Sequence, residues 1–266
     1  MPDIGTAGLR WLARTAGMAL AAAVAALAAA SSARAEFKLR YPIVDYREVE
    51  FEHNGDTTFD RRKSGLSNNQ SYTNELGYGI LPFWQLELEG EWAANSGENL
   101  RYDATTLENT FQLTPQGKYW ADLGFFAEYS HAASRADADS VSFGPLIQKE
   151  VPDIWGVDTL HTVNLLFGKQ IGHSSSDNTS LFAAWQSRLR LDPLFEPGIE
   201  FYAAIADAEK PGKLAEQQHR IGPVAVGLYN MPGYGKIKYE LGYQFGLTRA
   251  AEKGAVRWRL EFEKPF

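Results

Sequence analysis

The chain has 266 residues, no Cys and a net charge of −7. Aromatic residues make up 13% of it, yet its mean hydropathy is −0.32. The acidic balance argues against a nucleic-acid partner, and past the first 35 residues no run is apolar for the roughly 20 residues of a membrane helix.

The N-terminus has three parts. Arg10 and Arg14 form a basic region, Met18 to Ala30 is nearly unbroken Ala, Val and Leu, and Ala33-Arg34-Ala35 is a small-x-small cleavage site. That order is the pattern of a secretory signal peptide, and the apolar stretch is short for a transmembrane anchor. Residues 1–35 are therefore expected to be removed, leaving 36–266 as one β domain. Without Arg10, Arg14, Arg34 and Asp3 the basic and acidic counts fall from 26 and 33 to 23 and 32, a net of −9. Export permits disulfides, but this chain has no Cys to form them. A closed, fully hydrogen-bonded barrel in lipid holds together without cross-links.

Alternation with period two predicts about twelve strands, over 43–53, 69–80, 84–94, 102–113, 120–131, 140–150, 159–171, 180–191, 198–207, 218–229, 236–247 and 255–266. Each is close to the roughly 9–11 residues of a tilted transmembrane strand. In the third, Trp84, Leu86, Leu88 and Trp92 alternate with Gln85, Glu87, Glu89 and Glu91. In the eleventh, Ile237 to Leu247 is apolar at every odd position, and in the last Val256, Trp258, Leu260 and Phe262 share a face. The first segment is the weakest. Val44 and Tyr46 lie out of phase with Val49 and Phe51, so a bulge is expected there.

The connections fall into two alternating classes. One is short and Pro-rich: Leu81-Pro82-Phe83, Thr114 to Gly117, Val151-Pro152-Asp153, Asp192 to Pro197 and Met231-Pro232-Gly233. The other is polar and often longer: His53 to Asn68, Ala94 to Arg101, Ala133 to Asp139, Ser174 to Ser180 and Asp207 to Gln217. Tight turns on one side and polar loops on the other predict an all-β, up-and-down antiparallel transmembrane barrel with both termini periplasmic, in the outer membrane. Phe266 ends the chain in phase with Trp258 and Phe262. It resembles the terminal signal by which outer-membrane barrels engage their insertion machinery. A soluble sandwich or lipocalin-like barrel would alternate in the same way with its faces reversed; strand length, loop asymmetry and Phe266 favour lipid.

With the apolar face toward lipid, the other face lines the lumen. It holds Glu87, Glu89 and Glu91 on the third strand, then Glu108, Asp122 and Glu128. Further round come Arg188, Arg190 and Glu200, then Lys238 and Glu240, and then Arg257, Arg259, Glu261 and Glu263. This wall either orients a polar solute in a pore or fills a small barrel with ion pairs. Arg188 with Glu200 and Lys238 with Glu261 are pairable neighbours. The three stacked carboxylates either give an open lumen a negative stripe that favours cations or are neutralised by cationic side chains from across the lumen, such as Arg188, Arg190 or Lys238.

Sites for chemistry are sparse. No phosphate loop, Cys metal site or paired His stands out, and no cofactor is called for. The five His residues are scattered, with His53 and His131 at the expected outer rim. His173-Ser174-Ser175 closes the seventh segment. The His-x-Ser spacing puts imidazole and hydroxyl on one strand face, and resembles the arrangement in outer-membrane phospholipase and lipid A deacylase barrels, where His activates a Ser near the leaflet boundary. Three residues without their context are weak evidence.

Several runs resemble transporter-like outer-membrane barrels of proteobacteria, a group that includes proteins linked to the meta-pathway of phenol degradation. They are Asn74 to Gly79, Leu86 to Trp92, Leu107 to Asn109, Ala121 to Gly124 leading on to Tyr129, Glu216 to Gly222 and Gly246 to Thr248. The resemblance implies a barrel that passes small, hydrophobic or aromatic solutes, and it carries over no site residue. The leading expectation is a channel or transporter-like barrel. The alternatives are a lipid hydrolase using His173 and Ser175, and a structural barrel with a filled lumen.

Overall fold

The computed structural model describes residues 37–60, 62, 67–154 and 156–266. The expected signal peptide, residues 1–35, lies outside them. No helix among the described residues is long and apolar enough to cross a membrane; the secondary structure is strand almost throughout. The strands are β1 (Glu48–Phe59), β2 (Gln70–Leu81), β3 (Trp84–Ala94), β4 (Arg101–Gln112), β5 (Asp122–Ala132) and β6 (Asp139–Ile154). They continue as β7 (Val157–Ile171), β8 (Thr179–Leu189), β9 (Glu196–Ile205), β10 (Gln218–Met231), β11 (Gly235–Gly246) and β12 (Gly254–Pro265).

Each strand pairs antiparallel with its sequence neighbours, and β1 pairs with β12 from Glu48↔Pro265 to Phe59↔Gly254. The sheet is a closed barrel of twelve strands, so no edge is left unpaired. The faces are inverted relative to a soluble core. Leu76, Leu88, Leu241 and Leu260 are exposed on the outside, whereas Glu52, Glu89, Glu108, Glu200 and Glu263 are fully buried inside. Alternation forces this outcome: once one face of a strand packs the interior, every second residue must face out.

Eleven of the expected strands recur with their ends shifted by a few residues. The Val151-Pro152-Asp153 turn does not, because β6 continues to Ile154 and pairs there with Val157. The first strand is displaced. β1 begins at Glu48 and runs to Phe59, which absorbs half of the expected outer loop and leaves residues 37–45 outside the wall. No bulge joins the two phases. The chain turns at Asp45–Glu48 instead: the Glu48 N–H donates to the Asp45 carbonyl at 3.2 Å, and Arg47 takes a left-handed φ of 61°. His53 therefore lies within β1 rather than at a rim, opposite Leu260 and bonded to Asn74 at 3.0 Å.

Candidate functional site

Residues 37–45 run through the lumen as one extended segment that joins no wall strand. Its alternation suits two unlike walls. Phe37, Leu39 and Tyr41 pack toward Phe182 and Ala184 of β8 and Tyr202 of β9. Lys38 and Arg40 point to the acidic side made by β1 to β5. Lys38 Nζ lies 3.3 Å from Glu52, 2.5 Å from Glu75, 3.8 Å from Glu89 and 3.6 Å from Glu108. Arg40 reaches Glu108 at 2.5 Å and Glu128 at 3.3 Å, with its guanidinium 4.3 Å over the Phe126 ring. Lys38 and Arg40 are only 5% and 7% exposed, so their charges are sustained by these partners.

A buried backbone outside a ladder must find other partners, and here side chains supply them. Asn164 accepts from the Arg40 N–H at 2.7 Å and donates to the Arg40 carbonyl at 2.8 Å. Arg259 donates to the Leu39 carbonyl at 3.2 Å, and Gln112 accepts from the Val44 N–H at 3.0 Å. Two glycines make room. A Cβ at Gly79 would fall 2.2 Å from the Asp45 carbonyl oxygen, and one at Gly124 would fall 2.8 Å from the Pro42 Cβ. Both glycines belong to runs that the sequence offered only as a family resemblance.

Other carboxylates of the interior are paired from within the wall, while buried Glu50 and Glu87 accept from the Gln85 amide. Arg257 holds Glu200 through two hydrogen bonds and reaches Glu240 at 2.7 Å. Arg259 pairs with Glu52 and with Glu261 at 3.4 Å. Tyr41 donates to Glu240 at 2.7 Å and lies beneath the guanidinium groups of Arg188 and Arg259. Between the segment and the wall a cavity of about 50 Å³ remains, bordered by Glu50, Glu87, Lys238 and Glu261, which leaves room for a few waters.

The candidates named from sequence are dispersed over this interior. Glu87, Glu89, Glu108, Asp122, Glu200, Glu240, Arg257, Arg259, Glu261 and Glu263 are buried. Lys238 binds Glu261 at 2.9 Å, as the sequence proposed. Other pairings differ. Arg188 and Arg190 bind Glu196, at 3.0 and 2.5 Å, and the partner of Glu200 is Arg257. The cation at Glu89 comes from Lys38, not from Arg188, Arg190 or Lys238 across the lumen. Glu91 accepts from the hydroxyls of Thr106 and Ser130.

His173 and Ser175 do not share a strand face. β7 ends at Ile171, and Gly172 and Ser174, at φ of 78° and 62°, bend the chain into an exposed turn. There the Ser175 hydroxyl donates to the Gly172 carbonyl at 2.9 Å. The spacing argument needed four more residues of strand, to Ser175. Sequence reasoning also missed Lys38 and Arg40. The signal was present in Phe37-Lys38-Leu39-Arg40-Tyr41, an alternation of apolar and basic residues ahead of strands rich in Glu.

No protein-family model matches the chain, and no curated protein matches it. Thirty-one solved chains do. One is the translocator domain of the autotransporter NalP from Neisseria meningitidis, 12% identical over 95% of this chain and 98% of that one, with a TM-score of 0.44. That likeness concerns fold alone and carries no argument about the site. The resemblance to proteobacterial barrels linked to phenol degradation has no family match behind it; what stands is a closed twelve-stranded antiparallel barrel with an apolar outer face and a charged interior.

Proposed function

We propose that this chain is an outer-membrane barrel that serves as a passage for small solutes and rests closed, with residues 37–45 as its plug. The observation that carries the reading is the way the plug is held: side chains bind it, and no strand ladder does. Such a segment can leave without opening the wall. The apolar outer face, with Trp120 at 76% exposure near the β4–β5 turn, supports seating in lipid. Phe266, exposed just beyond β12, supports engagement by the insertion machinery. The charged interior suits a polar solute better than the hydrophobic or aromatic one that the family resemblance implies. Loop residues 206–217 would face outward and Pro82, Pro115, Pro193 and Pro232 the periplasm, so protease on intact cells should cut near Lys210 or Lys213.

The deciding test is current through a planar bilayer containing the mature chain. At low voltage it should stay closed. Lys38 and Arg40 carry two charges, so about 100–200 mV would supply about 5–9 kcal/mol for a full traverse of the field, and discrete openings are expected in that range. A steady open pore at rest would refute the plug. Silence at every voltage would favour the second reading, a structural barrel with a filled lumen, which the packed interior also supports.

A further inference from the structure

We infer that the outer face of the barrel at the β4–β5 turn binds one anionic glycerophospholipid, with an acyl chain in an apolar cleft and the phosphate at Lys118 and Lys149. The inference rests on the reading of the barrel as seated in lipid and is independent of whether it conducts.

The turn builds the cleft. The Leu113 N–H donates to the Leu123 carbonyl at 2.8 Å, and the Leu123 N–H donates to the Thr114 hydroxyl at 2.8 Å. The Gly117 N–H donates to the Asp122 carboxylate at 2.6 Å, with Gly117 at a left-handed φ of 67°. These bonds push the next residues outward, so that Tyr119 and Trp120 are 58% and 76% exposed. With Leu113, Thr114, Ala121 and Leu123 they line a cleft of about 370 Å³.

Two cations border it. Lys118 Nζ lies 5.7 Å from the centre of the Tyr119 ring, and Lys149 Nζ lies 5.8 Å from that of Trp120. Lys149 belongs to β6, one step beyond the Asp122↔Gln148 pair, and its partner on β7 is His161. Among the described residues neither ammonium meets a carboxylate. The acids beside them in the chain are engaged elsewhere. Asp122 is buried and holds Gly117, while Glu150 faces the other side of β6 and reaches Arg190 at 3.7 Å.

An apolar cleft under two cations fits a molecule with a fatty tail and an anionic head. Exposed Tyr and Trp beyond the strand ends place that head at the membrane–water boundary. A small polar anion would leave the apolar lining unused. A second copy docked about a two-fold axis would set these lysines against their own images.

Trp120 is the reporter. The unaltered chain and Trp120→Phe are reconstituted in phosphatidylcholine vesicles, and the difference in emission isolates Trp120. A minor fraction of phosphatidylglycerol with brominated chains should quench it more than the same fraction of brominated phosphatidylcholine. Each lysine near an anionic headgroup is worth about fivefold in binding, so Lys118→Gln with Lys149→Gln should weaken phosphatidylglycerol binding about 25-fold and abolish the preference. Lys210→Gln with Lys213→Gln removes the same charge from an exposed loop and should leave the preference intact. Equal quenching by the two lipids, or an equal loss in the loop variant, overturns the site and leaves the membrane seating standing. Trp120 shielded from both lipids while other tryptophans are quenched would show protein covering the cleft, and overturns the site as well. If no tryptophan is quenched, the seating fails and the site with it. In case the double variant does not fold, native mass spectrometry of the unaltered barrel gives a second reading. One phosphatidylglycerol should stay bound where phosphatidylcholine is stripped; equal retention overturns the proposal.

Discussion

Replacing Lys38 with Met keeps most of the side-chain volume and deletes the ammonium at the centre of the lumen. The loss can be followed residue by residue. Glu52 retains Arg259, and Glu108 retains Arg40. Glu75 retains only neutral donors, Asn54 at 2.9 Å and Thr73 at 3.4 Å. Removing one partner of a buried pair costs about 3–5 kcal/mol, because the other charge stays buried and uncompensated. For a chain of this size each kcal/mol moves the melting temperature by about 2–4 °C, so Lys38→Met should melt about 6–20 °C lower. Far-UV circular dichroism and heat-dependent gel mobility in detergent both measure this. Lys264→Met, at an exposed position, is the control and should change little. Adding Glu75→Gln to Lys38→Met should restore part of the loss, since it removes the buried carboxyl that has lost its ammonium partner. The two changes should show a coupling of at least about 1 kcal/mol. Additive effects, or a shift of Lys38→Met below about 3 °C, would refute the placement of this ammonium among the carboxyl groups of Glu52, Glu75, Glu89 and Glu108.

Three further outcomes are expected. Gly79→Val and Gly124→Val put a side chain where Asp45 and Pro42 now lie; each should lower the melting temperature and raise maleimide labelling of the single thiol that Leu39→Cys puts at a position 1% exposed, and an unchanged labelling rate would show that the plug does not rest on these glycines. In the loop after β1, hydrogen bonds from Arg62 hold the Asp60 carboxyl down to about 2. Its folded value is thus below its unfolded one, so the stability it adds is present above pH about 4 and is lost as pH falls through about 2; NMR titration should show Arg62→Ala raising the Asp60 midpoint. Ester hydrolysis in detergent should be the same for the unaltered chain, His173→Ala and Ser175→Ala, and a rate abolished by Ser175→Ala would restore the hydrolase reading.

Much of the wall was legible in the sequence because a strand's signal is local. Ile237 to Leu247 and Val256 to Phe262 alternate regardless of what surrounds them, and turns such as Met231-Pro232-Gly233 mark their own ends. Lys238 with Glu261 was legible for the same reason, since adjacent strands in an up-and-down barrel bring them together. The His173–Ser175 pairing failed on a local detail, the left-handed turn at Gly172 and Ser174 that ends β7. The plug was illegible on other grounds. Phe37 to Tyr41 alternates like a strand, and only closure of the barrel leaves it no edge to join. Which cation meets Glu75, Glu89 and Glu108 is likewise decided by closure, because those carboxylates come together with Lys38 only when β1 to β4 curve around a common axis. The sequence determined by itself that twelve two-faced strands would form, from a period of two that each segment carries alone. The tertiary structure decided that the lumen is occupied and by which charges, since a buried ammonium and its carboxylates are matched through space, across separations that no local pattern records.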